Sequence, residues 1–253
     1  MPLNIDEMGS PGIALDIIMK KARTAIFCNL PSPYALTVRI YNAGYQSLHQ
    51  SYPTLGFYWM VEPRNSEQAR KYCWKAVQQA YKDIRLNLVI DCTEIQTQRA
   101  ELPGGHLGFH RQNLALFLAH EGNKMWRVRQ YIKIWLLLQT KEMVPKSREA
   151  HFLTFCRKGK QRSVMFSVLC ARIFNVLGFN VIYKNTCMWV QMKSVCQRNA
   201  GCEFCGMVRE GIYSWQCDEN VVHLQELAVA EFFEVVCALE ACATRTHYAG
   251  MRD

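Results

Sequence analysis

The chain has 253 residues, 50% of them hydrophobic, and its 30 Lys and Arg against 21 Asp and Glu give a formal charge of +9. That size and apolar content suffice for one large core, or a principal domain with a smaller appendage, and exclude a wholly disordered chain. The charge favours polyanions, phosphorylated small molecules or an anionic membrane surface. No run reaches the roughly 18 uninterrupted apolar residues of a membrane helix, and the acidic start MPLNIDEMGSPG lacks a secretory pattern. A soluble cytoplasmic protein without a transmembrane segment is the expectation.

In chain order, TAIFCNL and ALTVRIYNA read as strands, and SYPTLGFYWMVEP as a strand flanked by turns. Asn65 and Gln68 have capping-box spacing, and Ala69, Tyr72, Cys73, Ala76, Val77 and Ala80 continue a helical apolar face. RLNLVIDCTEI reads as an inner parallel strand ending at Asp91, the end where such sheets collect ligands. The polar, glycine-rich connection TQRAELPGGHLGFH follows, then two helices, roughly Arg111 to His120 and Asn123 to Glu142. Trp126, Arg127, Arg129, Tyr131 and Lys133 interleave base and aromatic as nucleic-acid stripes do, but their spacing turns the aromatics toward a core. HFLTF is the next strand, SVMFSVLCARIFNVLG a helix and FNVIYK a strand, an order that argues for a parallel sheet. From about Val221 a long apolar helix packs on the domain or on a partner, leaving a homo-oligomer open.

The expected fold is α/β: a mostly parallel sheet flanked by helices, with a cysteine-rich segment and a long C-terminal helix. Residues 1–64 are expected to be an N-terminal extension or sheet edge, 65–205 the principal domain, and 206–253 a C-terminal helical appendage.

Between HFLTF and its helix lies CRKGKQRSV, in which Cys156, Gly159, Arg162 and Ser163 fit C-x-x-G-x-x-R-S. Between a strand and a helix, a loop of this length can curl its backbone N–H groups round an anion, helped by the helix N-terminus. Arg162 can grip two oxygens through its planar fork, and Gly159 permits the tight turn. Cys156 stands at the mouth of this field, which favours its thiolate. Ser163 either hydrogen-bonds that sulfur or caps the helix. Arg157, Lys158, Lys160 and Gln161 complete the loop, as contacts to phosphate or as a solvated face.

The segment resembles the active-site loop of the cysteine-dependent protein tyrosine phosphatase superfamily. That resemblance implies a nucleophilic Cys156, a phosphoryl-binding Arg162, and a Ser163 that assists the leaving sulfur. It also resembles the C-terminal domain of the bacterial RNase adapter protein family, whose C-x-G-G-x-x-R-S-V is matched except that Lys158 replaces the first glycine. That family is linked to a phosphorylated amino sugar and to RNA. Its upstream Asp-x-Arg is matched at Asp91, with Thr93 standing in place of the arginine, and the matched stretch runs from about Arg85 to Cys205. Phe155 occupies the position where the phosphatases carry His. Asp91 is the candidate general acid or else a local backbone cap, and Glu94 and His110 are weaker candidates.

Twelve cysteines are many. Cys73, Cys170, Cys237 and Cys242 fall in apolar patterns, as buried thiols do in a reducing compartment. Cys196, Cys202 and Cys205 lie at C-x5-C-x2-C, with Cys187 before them and Cys217 and His223 beyond. Chance clustering or a structural zinc accounts for them; zinc would take Cys202 and Cys205, Cys187 or Cys196, and Cys217 or His223.

Three functions remain open. The first is binding of a phosphosugar, nucleotide or RNA phosphate without turnover. The second is a phosphomonoesterase working through cysteinyl-phosphate. The third is a structural or partner-binding domain whose loop holds inorganic phosphate or sulfate.

Overall fold

The computed structural model describes residues 36–45, 66–81, 84–96, 108–139, 148–159, 161–185 and 218–249. The strands are β1 (Thr37–Gly44), β2 (Leu86–Asp91), β3 (Glu149–Cys156) and β4 (Asn180–Asn185). The helices are α1 (Ser66–Ala80), α2 (Arg111–Ala119), α3 (Glu121–Gln139), α4 (Arg162–Val176) and α5 (Glu219–Ala249). Among these residues the strands form one parallel sheet in the order β2-β3-β1-β4, which is the expected α/β class.

Alternation along the strands sorts the core into two faces. Val38, Ile40, Ile90, Phe152 and Cys156 belong to the cluster shared with α2, α3, α4 and α5, whereas Tyr41, Ala43, Leu153 and Phe155 belong to the one shared with α1. An irregularity between Leu86 and Leu88 resets β2, so that Leu86 and Val89 pack toward α1 while Leu88 and Ile90 pack on the other side.

Helix α4 is apolar nearly all round because it is enclosed, with Val164, Phe166, Val168, Leu169, Ile173 and Phe174 each 1% exposed or less. It ends at Gly178, whose φ is 92°. There Gly178 N–H donates to Asn175 and Phe179 N–H to Phe174, the Schellman arrangement that lets the chain turn straight into β4. α4 thus links β3 to β4 across β1, which lies between them.

Three features depart from the sequence expectation or sharpen it. The strand described within residues 1–64, β1, is interior rather than an edge, because it pairs on both sides, with β3 and with β4; the strands expected in TAIFCNL and SYPTLGFYWMVEP lie outside the described residues. The C-terminal helix is part of the domain rather than an appendage. Val221, Ala228, Val229, Phe232, Phe233 and Val236 of α5 are fully buried in the main cluster. Arg127 of α3 clamps α5 in place through Glu231 at 2.7 and 2.9 Å, while also donating to the Phe117 and Leu118 carbonyls at the end of α2. Trp126 and Tyr131 face the core as their spacing implied, and the buried Arg127 is structural. No helix among the described residues is long and apolar enough to cross a membrane.

Candidate functional site

The carboxyl ends of β1, β2 and β3 lie side by side, with Gly44 paired to Cys156 and Asp91 to Phe155. Tyr45 N–H donates to the Cys156 carbonyl and Cys92 N–H to the Phe155 carbonyl, so the chain leaves all three strands at one level. Here Gly159 and Ser163, from the two described parts of the loop, meet at the Cys156 sulfur. Gly159 N–H donates to Cys156 Sγ at 3.1 Å, and Ser163 Oγ lies 3.2 Å from the same sulfur. Gly159 has φ 65°, a conformation that a Cβ would strain.

Ser163 does not cap α4. The N-cap position is Gln161, with no side-chain cap. The Ser163 hydroxyl stands instead between Cys156 Sγ and the Ala43 carbonyl, 3.4 Å away. With one proton to give, it donates to the carbonyl when Cys156 is a thiol that itself donates, and to the sulfur when Cys156 is a thiolate. The first turn of α4 is anchored from below by Thr154, whose Oγ1 donates to the Ser163 carbonyl and lies 2.6 Å from Ser167 Oγ.

Arg162 opens α4, and its Nη1 donates to the Thr93 carbonyl at 2.5 Å. Other arginines are matched to carboxylates: Arg39 to Glu149, Arg127 to Glu231 and Arg172 to Glu226. Among the described residues Arg162 is oriented by a neutral carbonyl and meets no carboxylate, which leaves its guanidinium fork available to an anion. Arg157 and Lys158 are exposed on the loop. Lys160 lies outside the described residues.

No protein-family model, curated protein or solved structure matches this chain.

The candidate acids divide clearly. Asp91 ends the strand beside β3, but its Oδ1 accepts from Thr93 N–H at 2.7 Å and from Thr93 Oγ1 at 2.6 Å, the local-cap arrangement. Glu94 is exposed and paired with Arg129. His110 accepts from Gln112 N–H through Nδ1 and caps α2. Phe155 points to the opposite face of the sheet from Cys156, into the α1 cluster. Cys92 is fully buried on the Cys156 side; burial, then the nearness of Cys156 and Asp91, pushes its thiol well up, which makes it inert.

Residues that the sequence reading passed over also build the loop. Gly44 lies under it so closely that a Cβ would overlap the backbone of Lys158 and Gly159. Gly108 meets the start of α4, where a Cβ would crowd the Gln161 carbonyl and stand 2.7 Å from Val164 Cβ. A glycine just after a strand pattern marks a close backbone approach, and Gly44 directly follows TVRIYNA.

Of the zinc candidates, Cys187, Cys196, Cys202, Cys205 and Cys217 lie outside the described residues, and His223 is exposed on α5. Among the described residues no group of three or more His, Cys, Asp or Glu gathers where it could hold a metal.

Proposed function

We propose that the Cys156 to Ser163 loop binds the phosphoryl group of a phosphorylated ligand, such as a phosphosugar, a nucleotide or an RNA phosphate. The observation that carries this is Arg162, held at the loop's end by a neutral carbonyl and, among the described residues, by no carboxylate. The loop supplies backbone N–H groups, the α4 N-terminus adds its positive end, and Arg162 supplies a charged fork. Arg157 and Lys158 add positive potential at the rim. Calorimetric titration with inorganic phosphate tests the reading. Wild type should bind, and Arg162→Ala should lose about 10- to 100-fold in affinity, the worth of a charge-assisted hydrogen-bonding partner. No binding by wild type, or unchanged binding by Arg162→Ala, would refute it.

A second reading, a cysteine-dependent phosphomonoesterase, is favoured by the Ser163 hydroxyl beside the Cys156 sulfur. Cys156 would attack phosphorus in line, the leaving oxygen would take a proton, and water would then cleave the cysteinyl-phosphate. Binding is preferred because Asp91, the nearest strand-end acid, is occupied at Oδ1 by Thr93. A positioned acid is worth roughly 10² to 10⁴ in rate, so turnover of aryl phosphates should be slow. Rapid turnover that vanishes in Cys156→Ser while phosphate binding persists would establish the enzyme.

In the cysteine-rich segment, the C-x2-C spacing of Cys202 and Cys205 carries a separate proposal, a structural zinc. Elemental analysis should find about one equivalent in purified protein if that site forms.

A further inference from the structure

A pair of bonds from Thr93 to Asp91 and a third from Arg162 to Thr93 connect the end of β2 to the start of α4. Asp91 Oδ1 accepts from the Thr93 amide and from the Thr93 hydroxyl, and the Thr93 carbonyl accepts from Arg162 Nη1. The first two fix both the backbone and the side chain of Thr93, in the turn that an aspartate makes with the residue two positions on. The third uses that fixed residue to aim a guanidinium 69 positions away in the chain. The far end of the same turn is clamped as well. Asn123, 1% exposed on α3, accepts from Gln96 N–H at 2.8 Å and donates to the Gln96 carbonyl at 2.9 Å. The segment that carries the Thr93 carbonyl is therefore held at its start by Asp91 and, through Gln96, three residues on, by Asn123.

We infer that Asp91 is a positioning residue for Arg162, acting through Thr93, and that this is its part in phosphoryl recognition; the inference rests on the phosphate-binding reading of the loop. An unheld arginine loses substantial side-chain freedom when it binds an anion. One already aimed by a fixed carbonyl has lost part of that freedom beforehand, so less of the binding free energy is spent on ordering it. The device also leaves the charge intact. A carboxylate placed directly on Arg162 would orient it equally well and would compete with the phosphoryl group, whereas Asp91 acts on it through Thr93. The position of Thr93 itself follows: its side chain supplies the hydroxyl that makes the second bond to Asp91.

The test compares Asp91→Ala, Asp91→Asn and Thr93→Val in the full chain with two readouts, inorganic phosphate affinity by calorimetry and the order of the Arg162 side chain by ¹⁵N relaxation of its Nε–H, assigned with Arg162→Lys. Asn retains an oxygen that accepts both Thr93 bonds. Asp91→Asn should therefore keep Arg162 ordered and phosphate affinity within about threefold of wild type. Asp91→Ala should free Arg162 and weaken binding about tenfold, as expected for losing one or two hydrogen bonds, and Thr93→Val should fall between. A proton donor would behave differently, since Asp91→Asn would then be as damaging to turnover as Asp91→Ala. Arg162 order unchanged in Asp91→Ala overturns the inference whether or not phosphate binds. Order lost in Asp91→Ala and kept in Asp91→Asn, in a protein that binds no phosphate, upholds the positioning and overturns the phosphate reading alone.

Discussion

Gly44 and Lys158 meet backbone to backbone: a side chain on the glycine would overlap the Lys158 carbonyl group. Gly44 closes β1 and is paired with Cys156, so the strand end forms the floor of the loop that follows β3. Gly44→Ala should displace the loop, weaken phosphate binding more than tenfold, and destabilise the fold by about 1–3 kcal/mol, the usual cost of overpacking. Denaturant melts together with phosphate titration check both effects. Wild-type affinity in Gly44→Ala would show that the loop tolerates a lifted floor.

Thiol labelling separates reactivity from access. Cys242 is exposed, whereas Cys156 is only 3% exposed and Cys92 is fully buried. Iodoacetamide should reach Cys242 at a rate indifferent to phosphate. Cys156 should label more slowly, and phosphate should protect it, because anion and reagent enter the same loop. Cys92 and Cys170, whose thiols burial pushes up, should not label in folded protein. Peptide mapping with and without phosphate decides it, and labelling of Cys156 that ignores phosphate contradicts the site.

The sheet also carries a pH-sensitive cluster on its α1 face. His151 accepts or donates at Nδ1 against Tyr41 Oη at 3.1 Å, with Glu149 on the same strand and Arg39 on β1 beside it. Burial lowers the His151 pKa from its ordinary value near 6.5, more than Glu149 raises it. The unfolded chain therefore binds the proton more readily than the folded one. Stability should be complete above about pH 6.5 and decline as pH falls below it. Glu149 is held below its ordinary value by Arg39, so its contribution is lost in a lower window, below about pH 4.5. His151→Gln should remove the upper decline and leave the lower one. Denaturation midpoints from pH 4 to 8 test this, and an unaltered upper decline in the variant would place its origin elsewhere.

The Arg127–Glu231 pair predicts how firmly α5 is tied to the domain. Its side chains are 4% and 17% exposed, and Tyr131 Oη donates to the same carboxylate at 3.3 Å. Glu231→Ala leaves a guanidinium buried without its counter-charge and should cost about 3–5 kcal/mol in denaturant unfolding. A loss below about 1 kcal/mol would mean that the two carbonyls of α2 suffice for Arg127.

The amino-acid sequence by itself determined the α/β class, the strand, loop and helix around Cys156, and the strand ending at Asp91. Each of these is written in neighbouring residues: an apolar run, a helical period, a Cys-to-Arg spacing. It also placed Trp126 and Tyr131 in the core, since a helix's apolar face is a local periodicity. Tertiary structure decided what those pieces meet. β1 lies inside the sheet because it pairs with strands more than a hundred residues away, and no local period encodes the choice of a parallel neighbour. The same pairing set Gly44 beneath Lys158. Asp91 was legible as a strand-end acid, but whether its oxygen faced a ligand or Thr93 depended on the path of the turn after β2. The direction of Arg162 depended in turn on where that turn placed the Thr93 carbonyl, because a hydrogen bond is fixed by atoms within about 3 Å in space, whatever their distance along the chain.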